Sequence, residues 1–139
     1  MAYDPNNIFA KIVRGEAPCF KVYEDAHTLA FMDIMPQAEG HTLVIPKEGA
    51  ESIFDLSPEG AAALIKTTKK IAAAVKEVTN APGILIAQLN GAAAGQTVFH
   101  IHFHVIPRTS GLDLKLHARE TANFEQLKAL ATKIAAAIK

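Results

Sequence analysis

At 139 residues the chain suits one domain, 1–139, long enough to bury roughly two thirds of its unfolded surface without staples. Fourteen basic and fourteen acidic residues cancel, no basic cluster exceeds Lys69-Lys70 and Trp is absent, which excludes the electrostatic footprint of a nucleic-acid binder. No stretch approaches the ~20 apolar residues of a membrane span and Met1-Ala2-Tyr3-Asp4-Pro5 lacks the pattern of a secretory leader, so a soluble, cytoplasmic protein without a membrane partner is expected.

Asn6 or Asn7 can cap a short helix with Ile8, Phe9, Ile12 and Val13 on one face, ended by Gly15 and Pro18. Ile8 and Phe9 are both core candidates. Cys19 excludes an internal disulfide and, beside Pro18 at the entry to a strand, reads as structural; a nucleophilic thiol is the alternative. Phe20–Glu24 and Thr28–Ile34 are β-rich runs around Asp25-Ala26-His27, the pattern of an antiparallel hairpin with a solvated His27 at its tip. Asp33, among Phe31, Met32 and Ile34, is a charge on an apolar strand that needs a reason: capping the turn at Pro36 or binding a polar ligand. His41–Pro46 reads as a third strand, and spacing leaves open whether His41 joins a site.

Ser57-Pro58-Glu59 combines a capping hydroxyl, a proline at the first helical position and an acid in the first turn. The long helix that follows repeats Leu64, Ile65, Thr68, Ile71, Ala72, Val75 and Val78 at three and four, with lysines on its solvated side. Asn80-Ala81-Pro82-Gly83 breaks it. Ile84–Leu89 is a fourth strand, leading into the small-residue loop Asn90-Gly91-Ala92-Ala93-Ala94-Gly95, whose backbone can approach a phosphate closely or serve any tight connection.

The run from Val98 to Ile106 is β-branched or aromatic between its histidines and lies between Gly95 and Pro107, so it predicts a fifth strand. Strand alternation then puts His100, His102 and His104 on one face and Ile101, Phe103 and Val105 on the other. A lone buried histidine is ordinarily a hydrogen-bonded core residue. Three on one face each bring a donor and an acceptor that need partners, which suits a phosphate or a metal site better than a core. For a metal all ligand nitrogens must lie about 2.1 Å from the ion, whereas His100 and His104 are rooted roughly 13 Å apart along a strand. Phosphate chemistry is therefore preferred, with a two-histidine metal site completed from elsewhere as the alternative. Beyond Arg108, 109–119 reads as irregular and Thr121–Lys139 as a helix with Phe124, Leu127, Leu130, Ala131, Ile134 and Ile138 on one face. The elements make an α+β protein: an antiparallel sheet of about five strands, one long packed helix and a C-terminal helix.

The seven residues His100-Ile101-His102-Phe103-His104-Val105-Ile106 resemble the signature of the histidine triad (HIT) family of nucleotide hydrolases and transferases, and the chain is most similar to its Hint-like bacterial branch. The likeness covers 1–108, chiefly Asn7 to Arg108, through Ile8–Ile12, Ala30–Ile34, Gly40–Pro46 and Gly95–Val98; 109–139 is a C-terminal extension outside it. The resemblance implies a purine nucleotide with its base among Phe9, Phe31 and Ile34 and its ribose hydroxyls on Asp33. It also implies that His102 attacks the α-phosphorus, with His104, His41, Gln96, Thr97 and the Val98 backbone around the phosphate, that His100 is the remaining catalytic histidine and Asn90 and Gly95 further nucleotide-binding residues, and that no cofactor is needed. In that scheme the His100 carbonyl orients His102, a nucleotidyl-histidine forms and water cleaves it. A homodimer is implied too, joined edge to edge through 57–89. Two departures stand out. The zinc-carrying branch has cysteines near 7 and 10 and a histidine near 49, where this chain has Asn7, Ala10 and Gly49, so no metal is expected. Leu89 occupies a place where relatives carry Asn or Gln; Asn90 is the substitute, although it starts on the opposite face. The rival to an enzyme is a low-turnover nucleotide-binding regulatory or scaffold protein, and a metal-binding module comes after it.

Overall fold

The computed structural model describes residues 3–110 and 121–139; most of the irregular stretch expected over 109–119 lies outside them. In chain order the described elements are α1 (Ile8–Val13), β1 (Lys21–Glu24), β2 (Thr28–Met32), β3 (Thr42–Pro46), α2 (Pro58–Thr79), β4 (Gly83–Gln88), a 3-10 turn (Ala92–Ala94), β5 (Phe103–Arg108) and α3 (Phe124–Ala137). The strands form one antiparallel sheet in the order β1-β2-β3-β5-β4, so the fold is α+β and β4 is an edge.

Alternation along the central strands builds a core on each face. Ala30, Met32, Val44 and Val105 meet Leu64, Ile71 and Val75 of α2 and Leu127, Ala131 and Ile134 of α3. Leu29, Phe31, Leu43 and Ile45 point the other way, where Phe9 of α1 packs on them. Because both faces are covered, β2 and β3 are buried at every position. Each fully buried aliphatic side chain in these layers contributes about 1.5–3 kcal/mol. Ile8, in contrast to its expected place in the core, is 48% exposed; Phe9 and Ala10 are the buried residues of α1.

Local chemistry sets the boundaries. The Ser57 hydroxyl accepts the Gly60 N–H at 2.9 Å to open α2, and Asn80 closes it in the left-handed region at φ 53°. β2 stops at Met32 rather than Ile34 because Asp33 turns its carboxylate onto the Met35 N–H at 2.8 Å. The histidine run departs furthest from the strand its sequence predicts. Ladder pairing of β5 starts only at Phe103 and continues through Pro107 to Arg108, so His100 and His102 precede the paired strand. Period-2 alternation persists there nonetheless, for Ile101 is fully buried in the α2-side core while His100 and His102 face α1. The Ile101 N–H donates to the Ala50 carbonyl at 2.9 Å, which holds this segment where no ladder pairing is present among the described residues.

Candidate functional site

The site is built on the α1 face where β3 and β5 adjoin, with Leu43 opposite His104 in the ladder. The Asn7 side chain accepts the Ala10 N–H at 2.9 Å, starting the turn that lays Phe9 across the sheet. The Phe9 ring meets Phe31 edge-on at 5.4 Å and His102 at 4.9 Å, and His102 meets His104 at 4.9 Å. His41, His100, His102 and His104 are all buried.

Hydrogen bonds to backbone groups, whose donor or acceptor character is fixed, determine which nitrogen of each imidazole carries hydrogen. His102 Nδ1 lies 2.8 Å from the His100 carbonyl, which can only accept, so Nδ1 bears the hydrogen and the neutral ring keeps its lone pair at Nε2. His100 Nε2 donates to the Pro46 carbonyl at 2.8 Å, leaving its Nδ1 as an acceptor. The Gln37 N–H donates to His41 Nδ1 at 3.0 Å, which puts hydrogen on His41 Nε2. That nitrogen is 3.0 Å from His104 Nδ1, so His41 donates and His104 Nε2 carries the last proton of the chain. Burial pushes the His100 imidazole below its ordinary pKa, against the opposing pull of the Pro46 carbonyl, which favours the neutral form of that ring.

Asp33, 7% exposed, stands at the rim of this chain, with one carboxylate oxygen on the Met35 N–H and the other 3.4 Å from His41 Nε2. Of the two roles expected for this residue, the capping of the turn before Pro36 is present, and the same carboxylate also brings negative charge to His41. Ile34, beyond the end of β2, is 48% exposed at the same end of the sheet.

The loop before the triad is held by Gln96, which is buried. Its amide nitrogen donates to the Glu51 carbonyl at 2.7 Å and the Val98 carbonyl at 3.0 Å, and its oxygen accepts the Gly91 N–H at 2.7 Å. Gly91 and Gly95 sit at φ 91° and 101°, conformations that a side chain resists. Val98 packs on the Phe9–Phe31 cluster, while Gly95 and Thr97 are exposed beside it. Gln96 thus acts on the loop's shape, not as a donor aimed at a ligand. Gln96→Ala strands three backbone groups, and a loss of about 1–3 kcal/mol in unfolding free energy is expected by denaturant titration.

Asn90 turns elsewhere. Its side-chain oxygen accepts the Ile53 N–H at 2.9 Å and its amide pairs with Gln88 at 2.7 and 3.0 Å, so Gln88 and Asn90 share one side and Leu89 takes the other. Leu89 lies against the loop, with its Cδ1 3.4 Å from the point where a side chain on Gly95 would begin. Three elements of the site left no trace in the sequence: the Gln37 N–H, the Pro46 carbonyl and the hydroxyl of Tyr3, which reaches His100 Nδ1 at 2.6 Å.

Ligand atoms of Asp33, His41 and His104 all lie within 4.8 Å of one another, close enough to ask whether a metal fits. Coordination through His41 Nε2 would drive its proton to Nδ1, against the Gln37 N–H, so the donor set does not suit a cation. Asn7, Ala10 and Gly49 offer no thiolate or imidazole either. Elemental analysis of the purified protein is expected to return far less than one zinc per chain, and one tightly held equivalent would reject this reading.

An antiparallel sheet thus gathers four buried histidines on its α1 face, with the Asp33 carboxylate beside His41. The HIT domain profile matches residues 14–111. A crystal structure of a Hit-like protein from Bartonella henselae, described as involved in cell-cycle regulation, is 50% identical, covers 99% of this chain and 100% of its own, and superposes with a TM-score of 0.91. Adenosine 5'-monophosphoramidase hnt1 of Schizosaccharomyces pombe is 40% identical over 135 residues, spanning 95% of this chain and 98% of its own. A zinc-bound histidine triad family protein from Mycobacterium smegmatis is 38% identical with a TM-score of 0.82, covering 95% of this chain and 92% of its own. The chain belongs to the histidine triad family.

Proposed function

We propose that the chain is a purine nucleotide hydrolase that cleaves the bond between the α-phosphate and its leaving group in nucleoside phosphoramidates or related nucleotides, through a nucleotidyl-His102 intermediate. The observation that carries this reading is the 2.8 Å bond from His102 Nδ1–H to the His100 carbonyl, which directs an unprotonated Nε2 away from the backbone as a nucleophile. Nε2 forms a bond to phosphorus as the phosphorus–nitrogen bond of the substrate breaks, and the departing amine takes the proton on His104 Nε2. Water then attacks the adduct, returning a proton and freeing His102. Gly95, Gln96, Thr97 and Val98 shape the phosphate cradle, Phe9, Phe31 and Ile34 flank the base, and Asp33 takes the ribose hydroxyls. Asn90 supports the loop from behind through Ile53. The names of relatives such as the fission yeast monophosphoramidase support the substrate class.

Rapid mixing with AMP-phosphoramidate, quenching without acid and intact-mass measurement test the mechanism: an added adenylyl mass on His102 is expected. Its absence during turnover would reject the covalent scheme.

The same reading includes a cytoplasmic homodimer. β4 is a sheet edge, and the surface around it carries exposed Ile53, Phe54, Ile65, Ile86 and Phe99, with an apolar groove lined by Leu56, Ile65, Ile101 and Phe103. Such a patch beside an unpaired edge favours a second copy of the chain. Ile65→Asp is expected to shift sedimentation from dimer to monomer, and a wild-type monomer at micromolar concentration would overturn the assembly.

A further inference from the structure

We infer that Tyr3 is a positioning residue of the triad: its hydroxyl and ring lock His100 to the Gly49-Ala50 segment and thereby hold the carbonyl that orients His102. The segment that needs holding is known from the ladder, for β5 pairing begins only at Phe103 and His100 lies outside it. Three attachments replace the missing strand partner. The His100 ring donates from Nε2 to the Pro46 carbonyl at 2.8 Å, the Ile101 N–H donates to the Ala50 carbonyl at 2.9 Å, and the Tyr3 hydroxyl reaches His100 Nδ1 at 2.6 Å.

The direction of the third bond follows from the first. Pro46 can only accept, so the neutral ring has its hydrogen at Nε2 and a lone pair at Nδ1, and the tyrosine is the donor. With both nitrogens engaged, the imidazole cannot rotate without breaking a bond. The tyrosine ring meanwhile lies on Gly49: a side chain there would start 2.9 Å from Tyr3 Cε2. It also stands edge-on to the imidazole at 5.7 Å. One residue therefore bridges the side chain of His100 and the segment whose next carbonyl, that of Ala50, holds the following peptide. The carbonyl of that same 100–101 peptide unit accepts His102 Nδ1–H at 2.8 Å, so displacement of His100 is passed to the ring proposed as nucleophile.

The catalytic readout rests on the hydrolase reading; the structural one does not. In ligand-free protein, 15N resonances of the imidazoles report hydrogen bonding directly. Tyr3→Phe retains the ring over Gly49 and removes only the hydroxyl. The His100 Nδ1 resonance is expected to move to the position of an unbonded acceptor, the His102 resonances to broaden or shift, and kcat for phosphoramidate cleavage to fall about five- to tenfold, the weight of one lost hydrogen bond. KM is expected to change by less than about twofold, since no substrate contact is lost. Gly49→Ala, which displaces the ring, is expected to move the same resonances with the hydroxyl still present. A Tyr3→Phe protein that melts lower but keeps the wild-type resonances and kcat would overturn the assignment, because a role in stability alone moves neither. Shifted resonances in a protein whose wild type cleaves no phosphoramidate would support the lock and reject the hydrolase reading.

Discussion

His102→Asn is expected to lower turnover of AMP-phosphoramidate by at least on the order of 10³-fold while leaving AMP binding within about tenfold of wild type. The asymmetry follows from what the substitution removes. An asparagine amide can still donate to the His100 carbonyl that His102 Nδ1 engages at 2.8 Å, so the local backbone keeps its partner. The edge-on contact with Phe9 at 4.9 Å is lost, a term of about 0.5–1.5 kcal/mol. What cannot be replaced is the lone pair at Nε2, for an amide nitrogen is not a nucleophile toward phosphorus. Single-turnover cleavage and calorimetric titration with AMP separate the two effects. Wild-type single-turnover rates in this variant would move the nucleophile to another group.

The sheet and the long helix were legible because their signals are local. β-branched runs between turn residues marked every strand, and Ser57-Pro58-Glu59 marked the start of α2. The histidine face was legible for the same reason, since side-chain alternation needs only an extended chain. That is also why the strand expected from Val98 begins before the ladder does: alternation reports side-chain direction, whereas a ladder needs a partner, and the described chain before Phe103 is held by side chains and the bond to Ala50 instead. Tyr3 was invisible because its bond to His100 spans 97 positions and nothing in Met1–Pro5 marks it. The protonation pattern was equally hidden, for it is set by the Gln37 N–H and the Pro46 carbonyl, and backbone groups have no residue signature. Asn90 looked like a stand-in for an amide at Leu89, but the bonds that claim it, to Ile53 and Gln88, become evident only when the 51–55 turn is folded against the loop.

Asp33→Ala is expected to weaken binding of ribonucleotides by roughly 10- to 100-fold, the weight of about 1.5–3 kcal/mol for hydroxyls bonded to a carboxylate, and to weaken 2′,3′-dideoxynucleotides far less. The comparison matters because Asp33 has two other tasks. It holds the Met35 N–H at 2.8 Å, and its second oxygen lies 3.4 Å from His41 Nε2, so its removal disturbs the turn and the histidine chain together. Those losses act on any ligand that carries the same base and phosphate. They cancel in the ratio of ribonucleotide to dideoxynucleotide affinity, which isolates the sugar hydroxyls as a double-mutant cycle isolates one contact. The carboxylate has the capacity for this, since two oxygens provide about four acceptor positions and the turn occupies one of them. A ratio that stays at its wild-type value would confine Asp33 to the turn and to His41, and would place ribose recognition on another group.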